Sequence, residues 1–215
     1  MTIVSVEVRT EGSGIDQGLR RIELSDGSLL TIRICYLPPV FDITASSEIG
    51  ETGEESIRIA SACVRAEKKA LQLISTAEQN TFGLTRKLEK SGHDKACIRA
   101  VIDRLCELKL LDDKRYARLW VESRICRLAT SPRRLLIGLC ARGIDRDDSE
   151  SALKNTIDTE TELLILKRFA EKLQRKKKFS GSRNDASGDA RRALKYTLKS
   201  EGFSSAAIQQ FFEEA

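Results

Sequence analysis

Three sets of residues in this 215-residue chain have types that could do chemistry. The first is Asp112 and Asp113, side by side in LLDDKRYARLW, residues 110–120. Adjacent carboxylates can hold a metal ion or divide general acid and general base work between them. No further carboxylate or histidine follows at a recognisable spacing, so the pair reads instead as a helix start. Asp112 is placed at the N-cap and Asp113 in the first turn, where negative charge favours the helix dipole. Leu111 and Tyr116 then take the two positions of a hydrophobic staple, and Trp120 and Ile125 continue a buried stripe.

The second set is His93 and six cysteines: Cys35, Cys63, Cys97, Cys106, Cys126 and Cys140. There is no CxxC pair, so a zinc site lacks closely spaced ligands. Serine–histidine or cysteine–histidine catalysis would depend wholly on His93, which falls in a turn. The cysteines read as reduced thiols filling helix faces. There is also no Walker loop, GxSxG or HExxH. No enzyme, metal, cofactor or small-molecule substrate is expected.

The third set is basic. Residues 1–61 hold 5 Lys and Arg against 10 Asp and Glu, whereas the remainder holds 32 against 22. The asymmetry favours an anionic partner such as nucleic acid, or the acidic surface of a protein bound to it; a lysine-rich solvated face accounts for it equally. The densest basic region contains Arg175, Lys176, Lys177, Lys178, Arg183, Arg191 and Arg192. These are candidate contacts to phosphate or to an acidic surface, or else a solubilising loop. Arg133 and Arg134 open a helix, where a cation opposes the dipole; that points either to a functional use or to a solvated helix start.

The elements that must carry these residues follow from periodicity. TIVSVEV, RRIEL and SLLTIRI alternate with period two, and Ser25-Asp26-Gly27 is a hairpin signal, so residues 1–45 are expected to form a small antiparallel β head. The polar, glycine-containing stretch that follows reads as a linker over 46–56. From Ile57 the period becomes helical.

Self-similarity organises the rest. LTRKLEKSGH, LLIGLCARGI and LKYTLKSEGF share leucine, leucine and glycine at a constant spacing: Leu84, Leu88, Gly92; Leu135, Leu139, Gly143; Leu194, Leu198, Gly202. Each glycine fits the left-handed residue just past a helix end. The second leucine and the residue after glycine would then make the apolar contact of a Schellman cap, well in Leu139–Ile144 and Leu198–Phe203, poorly in Leu88–His93. Six, nine and ten residues past each glycine, apolar positions recur, with Ser149 the one departure. Upstream helices over roughly 56–76, 112–128 and 159–176 complete three-helix units. Start signals are Asn80, Ser131-Pro132, a capping box at Thr159–Glu162, and Ser204. The units run 57–111, 112–157 and 158–215, the last with a basic, mobile loop over 176–189.

At this point the residues resemble the RecX family of recombinase regulators. Leu111, Asp112, Asp113, Arg115, Tyr116, Ala117, Pro132, Arg133, Arg134, Leu135, Leu139, Gly143 and Ile144 fit its most recognisable segment, and ALQLISTAEQNTFGLTRKLEKSGH is similar to its first unit. Asn80 stands where the family usually has serine, Ser131 replaces its usual glycine, and Thr76 and Ala77 replace common arginines. The resemblance implies a mainly α fold: three tandem three-helix repeats in a curved elongated array, here with the β head. It also implies a protein that binds the RecA–DNA filament, restraining strand exchange, ATP hydrolysis and coprotease activity; a cytoplasmic location is expected from the chain's own lack of a span or leader, and a monomer is expected. Arg115, Arg133, Arg134 and the C-terminal basic residues are the candidate contacts to the filament and to the DNA backbone. The competing reading is direct DNA binding through helix-turn-helix-like modules. No apolar run approaches the roughly 18 residues that cross a bilayer, and no leader pattern opens the chain.

Overall fold

The structure, a computed structural model, describes residues 2–8, 18–39, 43–45, 48–127, 129–179 and 187–214, with side chains at 176–179 and 187–189 outside the described set. It is mainly helical, with a small antiparallel sheet, and divides into two units, Met1–Leu111 and Asp112–Ala215.

In the first unit, β1 (Ile3–Val8), β2 (Leu19–Leu24) and β3 (Leu29–Arg33) form a meander in the order β1-β2-β3. The Ser25-Asp26-Gly27 turn behaves as its residue types demand: Gly27 adopts φ 81°, its N–H donates to the Leu24 carbonyl at 2.8 Å, and Asp26 accepts from the Ser28 N–H at 2.8 Å. After a short 3₁₀ turn, Ile34–Tyr36, come α1 (Glu51–Thr76), α2 (Thr81–Lys90) and α3 (Lys95–Glu107). Helix α1 is a shared spine. Its Ile57 and Ala60 join Ile3, Ile22 and Ile32 of the sheet in one apolar cluster; its Cys63, Ala66 and Ala70 join Leu84, Leu88, Ile98 and Leu105 in a second.

The stretch 46–56 is therefore not a linker throughout, because α1 begins at Glu51. Thr52 and Gly53 disfavour helix by themselves. Glu51 and Glu54 favour the dipole, Glu54 pairs with Arg58 at 2.9 Å, and Ile57 is fully buried against the sheet. Packing of the next turn overrides local propensity.

The second unit holds α4 (Asp113–Arg127), α5 (Pro132–Cys140), α6 (Arg146–Thr156), α7 (Thr159–Phe179), α8 (Ser187–Ser200) and α9 (Ser205–Glu213). One cluster gathers Ala117, Val121, Leu135, Leu139, Ile144 and Ala152; the other gathers Ile165, Leu166, Phe169, Leu198, Phe203 and Ile208, with Ile125 and Ile157 packed against both. The expected loop over 176–189 is partly helical, since α7 runs to Phe179 and α8 starts at Ser187; 180–186, with Arg183, lie outside the described residues.

The three glycine stops share one geometry. Gly92, Gly143 and Gly202 have φ of 80°, 79° and 88°. In each case the N–H after the glycine donates to the carbonyl of the second leucine: His93 to Leu88 at 3.2 Å, Ile144 to Leu139 at 3.3 Å, Phe203 to Leu198 at 3.2 Å. All three leucines are fully buried, as are Ile144 and Phe203, while His93 is half-buried. The residue after that caps the next helix: Asp94 accepts from the Ala96 N–H, Asp145 from the Asp147 N–H and Ser204 from the Ala207 N–H. Ser149, the polar departure, is buried with its hydroxyl donating to the Asp145 carbonyl at 2.7 Å, so it costs no unpaired group.

Three expected starts differ. Asn80 stands at the N-cap of α2, but its side chain makes no cap hydrogen bond to that helix. The capping box at Thr159–Glu162 does not form; Asp158, one residue earlier, accepts from the Thr161 N–H at 2.8 Å. Glu162 instead accepts from the N–H and hydroxyl of Ser204, both at 2.7 Å, fastening α7 to the start of α9. Ser131 occupies the N-cap of α5 with Pro132 at N1, but its hydroxyl donates to Glu201 instead of accepting from its own helix.

A Cβ at Gly202 would fall 3.3 Å from the backbone nitrogen of Arg133, whereas one at Gly92 meets nothing within 4 Å. Gly92→Ala should thus cost only the left-handed strain of about 1–2 kcal/mol, and Gly202→Ala more, in urea denaturation followed by circular dichroism. Equal costs would show that the α5–α8 approach is not tight.

Candidate interaction surface

Asp112 caps α4. Its Oδ1 accepts from the N–H groups of Lys114 at 2.9 Å and Arg115 at 3.0 Å, the second and third residues of α4. Leu111 is buried in the first unit's core and Tyr116 is half-buried on the second's, so the expected staple is divided between two apolar clusters. Ala117 and Val121 are the fully buried residues of α4, with Tyr116, Trp120 and Ile125 half-buried beside them. Two guanidiniums approach the Trp120 ring, Arg142 at 4.7 Å and Arg124 at 5.1 Å from its centroid. It also sits on Gly138, where a Cβ would come within 2.6 Å of the indole. That close approach explains a glycine inside α5.

Among the described residues, no group of three or more His, Cys, Asp and Glu could hold a metal ion. Of the cysteines, Cys63 and Cys97 fill the first unit's core, Cys106 is half-buried, and Cys35, Cys126 and Cys140 are exposed and so fill no helix face. Burial pushes the Cys63 thiol well above its ordinary range, which leaves it unreactive. No described helix is long and apolar enough to cross a membrane.

The candidate basic contacts separate into distinct environments. Arg115 is half-buried in a cleft of about 550 Å³ between α4 and α6, shared with Asp112, Asp148 and Lys114, whose Nζ lies 3.4 Å from Asp148. Arg133 and Arg134 are engaged within the unit. The Arg133 N–H donates to the Glu201 carbonyl at 3.1 Å, its guanidinium donates to the Ser200 carbonyl at 3.0 Å, and Arg134 pairs with the Glu201 carboxylate at 3.2 Å. The N-terminus of α5 thus meets the C-terminus of α8, where one free backbone N–H of α5 and the Arg133 guanidinium satisfy the carbonyls of Glu201 and Ser200. This answers why two arginines open a helix: they face the negative end of another dipole. Arg191 is similarly occupied, stacked over Phe212 at 5.0 Å and donating to its carbonyl at 3.1 Å.

Arg133, Arg134 and Arg191 are exposed but paired; among the described residues, a face of α8 offers cations that are exposed without such partners. Arg192, Lys195, Tyr196 and Lys199 recur at helical spacing; Arg192, Tyr196 and Lys199 are exposed, Tyr196 by 78 %, and so is Lys195. Arg175, near the end of α7, is also exposed, 3.8 Å from Glu171. The side chains of Lys176, Lys177 and Lys178 lie outside the described residues. Lys195, Tyr196 and Lys199 escape a search for runs of basic residues, because their proximity shows only when α8 is given its phase. An exposed aromatic among three cations can meet phosphates electrostatically and stack on a base or a partner's apolar side chain.

Residues 112–153, which span α4 to α6, match the model of the RecX second three-helix domain. Regulatory protein RecX of Treponema pallidum (strain Nichols) is 33% identical over 114 residues, covering 53% of this chain and 70% of that protein. The chain belongs to the RecX family. Regulatory protein RecX of Lactococcus lactis subsp. cremoris is 31% identical over 160 residues, 73% of this chain and 59% of that protein. A crystal structure of regulatory protein RecX superposes with TM-score 0.74 at 22% identity, covering 99% of this chain and 98% of that one, so the mainly helical fold with its β head is a RecX fold. RecX relatives are named as regulatory proteins, which matches a chain whose candidate surface is cationic and exposed instead of enclosed.

Proposed function

We propose that this RecX chain binds the RecA recombinase filament on DNA and modulates it, chiefly by restraining strand exchange, ATP hydrolysis and the coprotease activity that depends on the filament. It acts in the cytoplasm, as a monomer, without cofactor or chemistry of its own. Membership of the RecX family carries the reading, and the outward cations of α7 and α8 support it. Binding would inhibit by favouring one state of the filament over another, which requires different affinities for the two. On this reading the repeats 57–111, 112–157 and 158–215 are successive binding modules. Arg175 and Arg192 are the contacts, joined by Lys195, Tyr196 and Lys199; Arg133, Arg134 and Arg191 are exposed too but already hold partners within the unit.

The test is recombinase ATP turnover on single-stranded DNA with and without the chain, alongside titration against bare and recombinase-coated DNA at several salt concentrations. Inhibition with tighter binding to coated DNA is expected. Arg192→Glu with Lys195→Glu should weaken inhibition about tenfold or more while leaving the circular dichroism spectrum unchanged. Equal, steeply salt-dependent binding to both forms of DNA would favour the direct DNA-binding reading instead.

A further inference from the structure

The first unit carries a basic groove that the sequence does not announce, because residues 1–61 are acidic overall. It lies between the β2–β3 pair and α1, with a volume of about 480 Å³. Arg21 and Arg33 reach it from the sheet, Arg65 and Lys68 from α1. Its one acidic residue among those described, Glu67, has both oxygens occupied, Oε2 by Arg33 at 2.9 Å and Oε1 by Arg104 at 3.1 Å. Glu67 therefore does not neutralise the other cations. Arg65 reaches the Ser61 hydroxyl at 3.4 Å, and neither it, Arg21 nor Lys68 has an ion-pair partner among the described residues. The remaining walls include Leu19, Val64 and Leu71.

We propose that this groove binds an acidic peptide segment of a protein partner, its carboxylates on Arg21, Arg65 and Lys68 and an aliphatic side chain against Leu19, Val64 and Leu71. Surplus positive charge selects an anion. The aliphatic walls select one that carries apolar side chains, as pockets built from apolar surface with a few convergent polar groups do. Among the described residues no aromatic side chain lines the groove, so these walls offer no stacking platform of the kind that holds single-stranded nucleic acids. This proposal is independent of the recombinase reading, since its test uses the full chain alone.

A short fluorescein-labelled peptide mixing glutamate and leucine is titrated against the chain by fluorescence anisotropy at physiological salt, with labelled oligothymidylate of equal length in parallel. Saturable peptide binding is expected. Arg21→Glu with Lys68→Glu should weaken it about tenfold or more, and the neutral pair Arg21→Gln with Lys68→Gln by an intermediate factor. Lys90→Glu with Lys95→Glu, an equal charge change at exposed positions of the same unit, should leave it within about twofold. Absence of peptide binding, equal losses in the two reversed variants, or oligothymidylate binding lost selectively in Arg21→Glu with Lys68→Glu would each overturn the proposal.

Discussion

Glu67→Ala is expected to destabilise the first unit by about 3–5 kcal/mol. Glu67 is 1% exposed and Arg33 3%, so removing the carboxylate leaves at least one guanidinium charged in a nearly dry site, and the loss is set by that stranded charge. The three charges also join separate elements, Arg33 from β3, Glu67 from α1 and Arg104 from α3, so the substitution loosens the sheet and the helices together. Arg104→Met should cost far less, because the Arg33–Glu67 pair survives and the side chain of Arg104 is already 19% exposed. Urea denaturation by circular dichroism gives the order. Wild-type stability in Glu67→Ala would mean that water reaches the triad freely.

Leu139→Ala is the second large effect, at about 2–5 kcal/mol. Leu139 is fully buried, packs with Ala117, Val121, Leu135, Ile144 and Ala152, and stands at the position whose carbonyl closes the Schellman turn. Truncation removes transfer energy and leaves a cavity between α4, α5 and α6 that rigid helix ends cannot fill. The same helix supplies its control. Ile137 is 56% exposed, and Ile137→Ala should change stability by less than about 0.5 kcal/mol. Trp120 is the sole tryptophan and lies in this unit, so its fluorescence follows the transition directly. Equal losses at the two positions would contradict the placement of the buried face of α5.

The arginines at the start of α5 show how tertiary structure reassigns a residue without altering the local reading. Their sequence position presents a real anomaly, cations at the positive end of a dipole, and a partner is one sound explanation. The chain itself supplies the opposing charge, from Ser200 and Glu201, residues 67 positions away. Reversing Arg133 and Arg134 would therefore disturb folding and binding together, which makes Arg192 and Lys195 the better probes of function.

The features legible in the sequence are those determined within a turn or two of helix. The left-handed glycines, the buried leucine four residues before each and the Asp112 cap rest on backbone geometry and short-range hydrogen bonds, so residue type and spacing suffice. The Ser-Asp-Gly hairpin is of the same kind. The start of α1 at Glu51, the Arg33–Glu67–Arg104 triad, the Ser131–Glu201 bond and the outward face of α8 were decided only by the tertiary structure. Each pairs groups dozens of positions apart or depends on helix phase, and a carboxylate's choice among several arginines is a matter of distance and burial that no local pattern records.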